Sequence, residues 1–124
     1  MVILYADDDK DDREFFSEAV RSINHTYKLI EARDGRDAIQ IVYQSDQIPD
    51  VIFLDINMPL LDGFETLVEL KKNSRLRITK FVMYSTAIKT QLPERYKNLG
   101  VSYLKKSFTM KDSIDSIRAV IERS

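Results

Sequence analysis

Cysteine is absent from the chain. Disulfides, thiolate chemistry and Cys-based zinc or iron–sulfur sites are therefore excluded, and the redox compartment is left open. Histidine occurs once, at His25, so a histidine metal cluster is excluded as well. No apolar run of membrane-spanning length exists, and the N-terminus lacks the basic, apolar and small-residue succession of a secretory signal. A soluble, cytoplasmic protein is expected. Charge of one sign is also lacking: 19 basic residues stand against 20 acidic ones, a formal net charge of −1. Binding to nucleic acid or to an anionic membrane would draw on a positive field that this balance does not supply, so neither partner is expected. With three glycines and three prolines there is no linker-like tract, and no internal repeat or low-complexity segment interrupts the chain. The chain does have 124 residues, 44% of them hydrophobic. That suffices for one domain with its own core, and no second module is expected.

Short apolar runs of strand length appear at Val2 to Ala6, Tyr27 to Ala32, Val51 to Leu54, Phe81 to Tyr84 and Val101 to Leu104. Between them lie segments of helical period. Phe15, Phe16, Ala19, Val20 and Ile23 form one apolar face, Ala38, Ile39 and Val42 a second, and Phe64, Leu67 and Val68 a third. A fourth helix is expected to start near Pro93, which suits only a first turn, and to stop at Gly100. The fifth has the stripe Ile114, Ile117, Val120 and Ile121, with Thr109 and Asp112 at the spacing of an N-terminal cap. Asp9, Asp11 and Asp12 read as capping or solvated residues of the first helix, and His25 as a solvated loop residue.

Five β/α units imply a parallel sheet with helices on both faces. The first, third and fourth strands are apolar throughout, as strands covered on both sides should be. Lys28 and Glu31 interrupt the second strand and Ser102 the fifth, which places those two at the edges. The expected fold is α/β, flavodoxin-like, a doubly wound five-stranded parallel sheet in the order 2-1-3-4-5 with five helices. In that order the first and third strands flank the topological switch point, where such sheets place ligands beyond the carboxyl ends of their strands.

The residues just beyond those carboxyl ends are chemically coherent: Asp7 and Asp8, then Asp55, then Ser85 and Thr86, then Lys105 and Lys106. Three carboxylates at close quarters raise one another's pKa, and a stable arrangement needs cations among them. A lysine and a divalent metal would serve. Oxygen-only ligands, few in number, suit Mg²⁺, which keeps several waters and commonly shares one or two carboxylates with a phosphate oxygen.

The segments Tyr5-Ala6-Asp7-Asp8, Asp55-Ile56-Asn57-Met58-Pro59 with Asp62-Gly63, Ser85-Thr86-Ala87 and Tyr103-Leu104-Lys105-Lys106-Ser107-Phe108 resemble the receiver domains of two-component response regulators, over the whole chain. The resemblance implies Asp55 as phosphoacceptor, Asp8 as a direct metal ligand, Asp7 as its partner through water, and Asn57 offering its main-chain carbonyl to the metal. It implies Thr86 and Lys106 as ligands of the phosphoryl oxygens. Ser85 competes with Thr86, which is preferred on strand alternation and on its pairing with the small Ala87. Tyr103 would be the family's rotameric switch, coupled to Thr86, or else an ordinary edge-strand aromatic. The expected activity is phosphorelay signalling with Mg²⁺, fed by a histidine kinase or a histidine phosphotransfer protein. The chain would act as a signalling domain limited to its own phosphorylation and dephosphorylation, not as an enzyme on other substrates. Output would pass to a downstream protein through the face of the fourth helix, fifth strand and fifth helix, which could also form a weak homodimer. Lys97 and Lys105 would belong to a recognition surface or simply be solvated.

One position departs from the family: Ser107 follows Lys106 where proline is usual. A cis bond costs a non-proline peptide about 2.5–4 kcal/mol, so a trans Lys106–Ser107 peptide is expected. Three rival functions remain. A calcium loop would use Asp7, Asp9, Asp11 and Glu18, but Asp12 stands where its sharp turn needs glycine. A haloacid-dehalogenase-type phosphatase would need an acid two residues after Asp55, where Asn57 stands. A receiver-like docking module that is never phosphorylated would not require the set Asp7, Asp8, Asp55, Thr86 and Lys106.

Overall fold

The strand runs pair in parallel, and the order of the resulting sheet is β2-β1-β3-β4-β5. The elements are β1 (Val2–Ala6), α1 (Lys10–Ile23), β2 (Lys28–Ala32), α2 (Gly35–Gln44), β3 (Val51–Leu54), α3 (Gly63–Lys71), β4 (Lys80–Ser85), β5 (Ser102–Lys105) and α4 (Met110–Glu122). The structure, a computed structural model, describes residues 1–86 and 100–123. Of the five helices expected, the fourth lies outside the described residues, as do Ala87 and Lys97. α4 is therefore the fifth helix of the sequence reading. Gly100, the expected stop of the fourth helix, has φ 65°, a left-handed conformation that suits glycine.

The edge assignments follow the chemistry of the strands. β1, β3 and β4 are buried almost throughout, whereas β2 and β5 have exposed or half-buried positions. Register is set by the same pattern, Leu4 lying beside Ile30 and Ile52, and Phe53 beside Tyr5 and Val82. Alternate residues along each strand then build two cores. One, on the side of α2 and α3, contains Leu4, Ile52, Leu54, Leu67, Leu70 and Met83. The other, on the side of α1 and α4, contains Tyr5, Phe16, Phe53, Tyr84, Ile117 and Ile121.

The helix starts are fixed by side-chain caps. Asp9 accepts from the main-chain nitrogens of Asp11 and Asp12, Asp34 from that of Asp37, and Thr109 from that of Asp112. Asp62 and Glu65 form a reciprocal capping box at α3. One detail corrects the sequence reading, and a second agrees with its rejection of a calcium loop. Val68 is 36% exposed, and the buried stripe of α3 is Phe64, Leu67 and Leu70. The calcium-loop spacing fails because residues 10–23 are already helical, which leaves Glu18 exposed on α1.

Candidate functional site at the carboxyl edge

The strands do not end abruptly at the rim. Asp7 donates its main-chain N–H to Ala32 at 3.1 Å, Asp55 to Ala6 at 3.0 Å and Lys106 to Ser85 at 2.8 Å. These bonds extend the ladder by one residue, and with it the alternation of side chains. Asp7 thus follows Tyr5 on the α1/α4 side and Asp55 follows Phe53, while Thr86 lines a cavity with Tyr5 and Tyr84 of the same side.

Asp7 is fully buried and Asp55 is 7% exposed, while Asp8 is exposed. One oxygen from each of the three carboxylates can be chosen so that all lie within 4.8 Å of one another. Burial of this kind needs compensation. Lys106 provides much of it: its Nζ lies 2.7 Å from Asp7 Oδ2, 2.9 Å from Asp12 Oδ2 and 3.6 Å from Asp55 Oδ1. Asp7 has further partners. The Tyr5 hydroxyl donates to Oδ2, and the Asp9 main chain donates to Oδ1 at 3.0 Å. Arg13 Nη1 donates to the Asp7 carbonyl at 2.7 Å and fixes the turn between β1 and α1.

Burial pushes the Asp55 carboxyl up to about 6; the Lys106 charge opposes this, Asp7 and Asp8 add to it, and a hydrogen bond from the Asn57 main chain opposes it again. Lys106 is moved the other way. Burial alone would lower its pKa, but hydrogen bonds to Asp7 and Asp12, and the charges of Asp55 and Asp7, outweigh that and raise it. The ammonium therefore stays charged. It also sits 5.6 Å from the centre of the Tyr84 ring, within reach of the negative ring face.

The loop beneath Asp55 explains the Asp62-Gly63 pair. A Cβ at Gly63 would stand 2.4 Å from the Asp55 carbonyl oxygen and 2.7 Å from Met83 Cε, so no side chain fits without displacing the backbone that presents Asp55. Leu60 in the same loop has φ 69°, a left-handed conformation that costs a non-glycine residue energy. Asn57 is exposed next to Asp55.

Ser85 and Thr86 separate cleanly. Thr86 is exposed and lines a cavity of about 120 Å³ with Tyr84 and Lys106. Ser85 is 1% exposed, and its Oγ is buried without a hydrogen-bond partner among the described residues. Thr86 is the hydroxyl that shares a cavity with the site lysine. Tyr103 is half-buried against the aliphatic core, its hydroxyl also buried with no partner among the described residues. The Lys106–Ser107 peptide is trans, as expected without proline. His25 is exposed.

Sequence reading misses three contributors. Asp12 reads as a capping or solvated residue, yet its carboxylate pairs with Lys106 across 94 residues of chain. Tyr5 reads as an apolar strand residue, yet its hydroxyl serves Asp7. Arg13 has no motif to single it out. No local spacing announces these contacts, although a tyrosine two residues before an aspartate at a strand end places both side chains on one face.

The donor set suits a hard divalent cation: it is made of oxygen, it is negatively charged, and it opens to solvent at Asp8. No helix among the described residues is long and apolar enough to cross a membrane.

Comparison with known proteins agrees with this geometry. Residues 3–118 match the response regulator receiver domain family. Response regulator Rcp1 of Synechocystis sp. is 30% identical over 96% of this chain and 85% of its own length. The probable transcriptional regulator ycf27 of Guillardia theta is 31% identical over 98% of the chain, which spans 46% of that protein. Among solved structures, the phosphorylated cyanobacterial phytochrome response regulator RcpA superimposes with a TM-score of 0.84 at 28% identity, covering 98% of this chain and 91% of that one. The Mn²⁺-bound form of Rcp1 gives 0.76 at 29% identity, covering 96% and 90%.

Proposed function

The chain belongs to the response regulator receiver domain family and is a phosphorelay signalling domain, and from that premise we propose that Asp55 is its phosphoacceptor, with Mg²⁺ held by Asp8, Asp55 and the Asn57 carbonyl. The observation behind the reading is the convergence of the Asp7, Asp8 and Asp55 carboxylates within 4.8 Å, with the Lys106 ammonium 3.6 Å from Asp55. Asp8 is the exposed member and is open to take the metal directly. Asp7 already accepts from Tyr5, Asp9 and Lys106, which suits a role through water. Mn²⁺ in Rcp1 and the phosphorylated state of RcpA support the metal and the modification.

Phosphoryl transfer asks for positioning and charge neutralisation more than for covalent chemistry. When bound, Mg²⁺ supplies positive charge to the phosphoryl oxygens. The residues do the rest. An Asp55 carboxylate oxygen attacks phosphorus, the P–N bond to the donor imidazole breaks, and its electron pair stays on the ring nitrogen. Lys106 and the Thr86 hydroxyl bind the transferred oxygens. The donor is a phosphohistidine on a histidine kinase or a histidine phosphotransfer protein.

Output runs through a protein-binding face that includes β5 and α4. Tyr103 couples it to the site, because a rearrangement that gives its buried hydroxyl a partner is favoured. Intact-mass analysis after acetyl phosphate and Mg²⁺ tests the core of the reading. One added phosphoryl group is expected in the wild type, none in Asp55→Asn and none with EDTA; phosphorylation that persists in Asp55→Asn overturns it.

A further inference from the structure

Lys106 is not centred on the acceptor. Two of its contacts, 2.7 Å to Asp7 and 2.9 Å to Asp12, are hydrogen bonds, whereas Asp55 at 3.6 Å lies beyond that range. An ammonium has three N–H donors, and two are committed away from Asp55. Asp12 reaches the lysine from the first turn of α1. The cap of α1 is Asp9, which accepts from the main-chain N–H of both Asp11 and Asp12, while the Asp12 carboxylate accepts from Lys106.

The two partners differ in how easily they can let go. The Asp7 side chain is 1% exposed, and losing the lysine would leave a buried charge short of compensation. The Asp12 side chain is 44% exposed, so water can replace the lysine at little cost. A phosphoryl group brings a charge of about −1.5 to −2 and three acceptor oxygens, which exceeds what one half-solvated carboxylate offers the ammonium.

We propose that Asp12 is a positioning residue that parks Lys106 on the α1 side of the pocket and so slows phosphoryl uptake by Asp55, releasing the lysine only when a phosphoryl group outcompetes it. The inference rests on Asp55 being the phosphoacceptor. Asp12 also adds negative charge at the mouth through which an anionic donor must approach, and both effects act in the same direction. Separating them needs a neighbour of equal charge without the contact, and Asp11 in the same helical turn is not among the carboxylates that pair with Lys106 in the described residues.

The test measures phosphorylation rate by intact mass in the full chain, with acetyl phosphate and Mg²⁺, for wild type, Asp12→Asn and Asp11→Asn. Asp12→Asn should be faster by about twofold to fivefold, the range of a half-exposed ion pair, and Asp11→Asn should match the wild type. A second readout needs neither metal nor donor: the Lys106 ammonium NMR resonance should move in Asp12→Asn and stay in place in Asp11→Asn. A rate in Asp12→Asn no higher than wild type, an equal acceleration in Asp11→Asn, or an unmoved Lys106 resonance in Asp12→Asn would each overturn the inference while leaving Asp55 as acceptor. A wild-type protein that takes no phosphoryl group on Asp55 overturns the acceptor reading itself, and this inference falls with it.

Discussion

The two faces of the sheet are built from different side chains. Toward α2 and α3 the strands present Leu4, Ile52, Leu54 and Met83, with Phe81 their one buried aromatic and no tyrosine among the fully buried members of that cluster. Toward α1 and α4 they present Tyr5, Phe53 and Tyr84 around Phe16, the Tyr5 and Phe16 rings stacked at 4.1 Å and Phe16 edge-on to Phe53 at 4.9 Å. The aromatic face is the one that ends in Asp7, Asp55 and Thr86. A tyrosine is a large apolar body with a polar tip, so it can fill a core and still deliver a hydroxyl to Asp7 or a ring face to Lys106. The mostly aliphatic face offers a ring to Lys71 at Phe81, near the start of β4 and away from the rim, but no fully buried tyrosine. It stabilises the sheet, while the aromatic face both packs the sheet and conditions the charges above it.

The harshest way to break this division is a cavity on the aliphatic face. Leu67 is fully buried on α3, and Leu67→Ala should cost about 2–5 kcal/mol in urea unfolding. The folded fraction should bind Mg²⁺ as the wild type does. A loss of metal affinity in the folded fraction would show that the faces are mechanically coupled and that the division is false.

A smaller effect should appear only on the aromatic side, because that is where the buried carboxylates lie. The Asp55 pKa is about 6 in the folded protein against an ordinary value of 3.8. Between these values the native state holds a proton that the unfolded state has released. Asp55 therefore favours folding below about pH 4, and that contribution is lost as pH rises through about 6, by roughly 1–3 kcal/mol. In metal-free protein, the stability of Asp55→Asn relative to wild type should grow across that window and level off above it. Added Mg²⁺ binds the ionised form and should shrink the difference. A difference that does not vary between about pH 4 and 7 would mean that burial does not hold Asp55 protonated.

Much of this architecture was legible in the sequence, for definite reasons. Uniformly apolar runs at Val2 to Ala6, Val51 to Leu54 and Phe81 to Tyr84, set against Lys28, Glu31 and Ser102 in the other two strands, identify the centre and the edges because burial on both faces disfavours solvated side chains. The caps at Asp9 and Thr109 were legible because capping is local. The acidic rim was legible because parallel connectivity places all strand ends on one edge. Asp12–Lys106, Tyr5–Asp7 and Arg13–Asp7 were not. Asp12–Lys106 depends on how far the first turn of α1 overhangs the rim, the others on rotamers within the β1–α1 turn. Val68 falls off the buried stripe because three apolar residues do not fix the centre of a helical face, which Leu70 decides.

The smallest predicted effect has the opposite sign and tests whether polarity is tolerated equally on the two faces. Ser85 continues the aliphatic parity of Met83, and its Oγ is buried without a partner among the described residues, whereas on the aromatic side the buried Tyr5 hydroxyl is bonded to Asp7. An unpaired buried hydroxyl costs its desolvation and returns nothing. Ser85→Ala removes that cost, retains the Cβ and leaves a void of only one small atom. It should raise stability by up to about 1 kcal/mol. Because Thr86 is the hydroxyl assigned to the phosphoryl group, the same substitution should leave the phosphorylation rate at its wild-type value, while Thr86→Ala slows it. Urea unfolding and intact-mass kinetics on the two variants decide the point. If Ser85→Ala destabilises the protein and slows phosphorylation, then the Ser85 hydroxyl does have a partner in the working site, and the contrast between an unserviced aliphatic face and a serviced aromatic one fails at this residue.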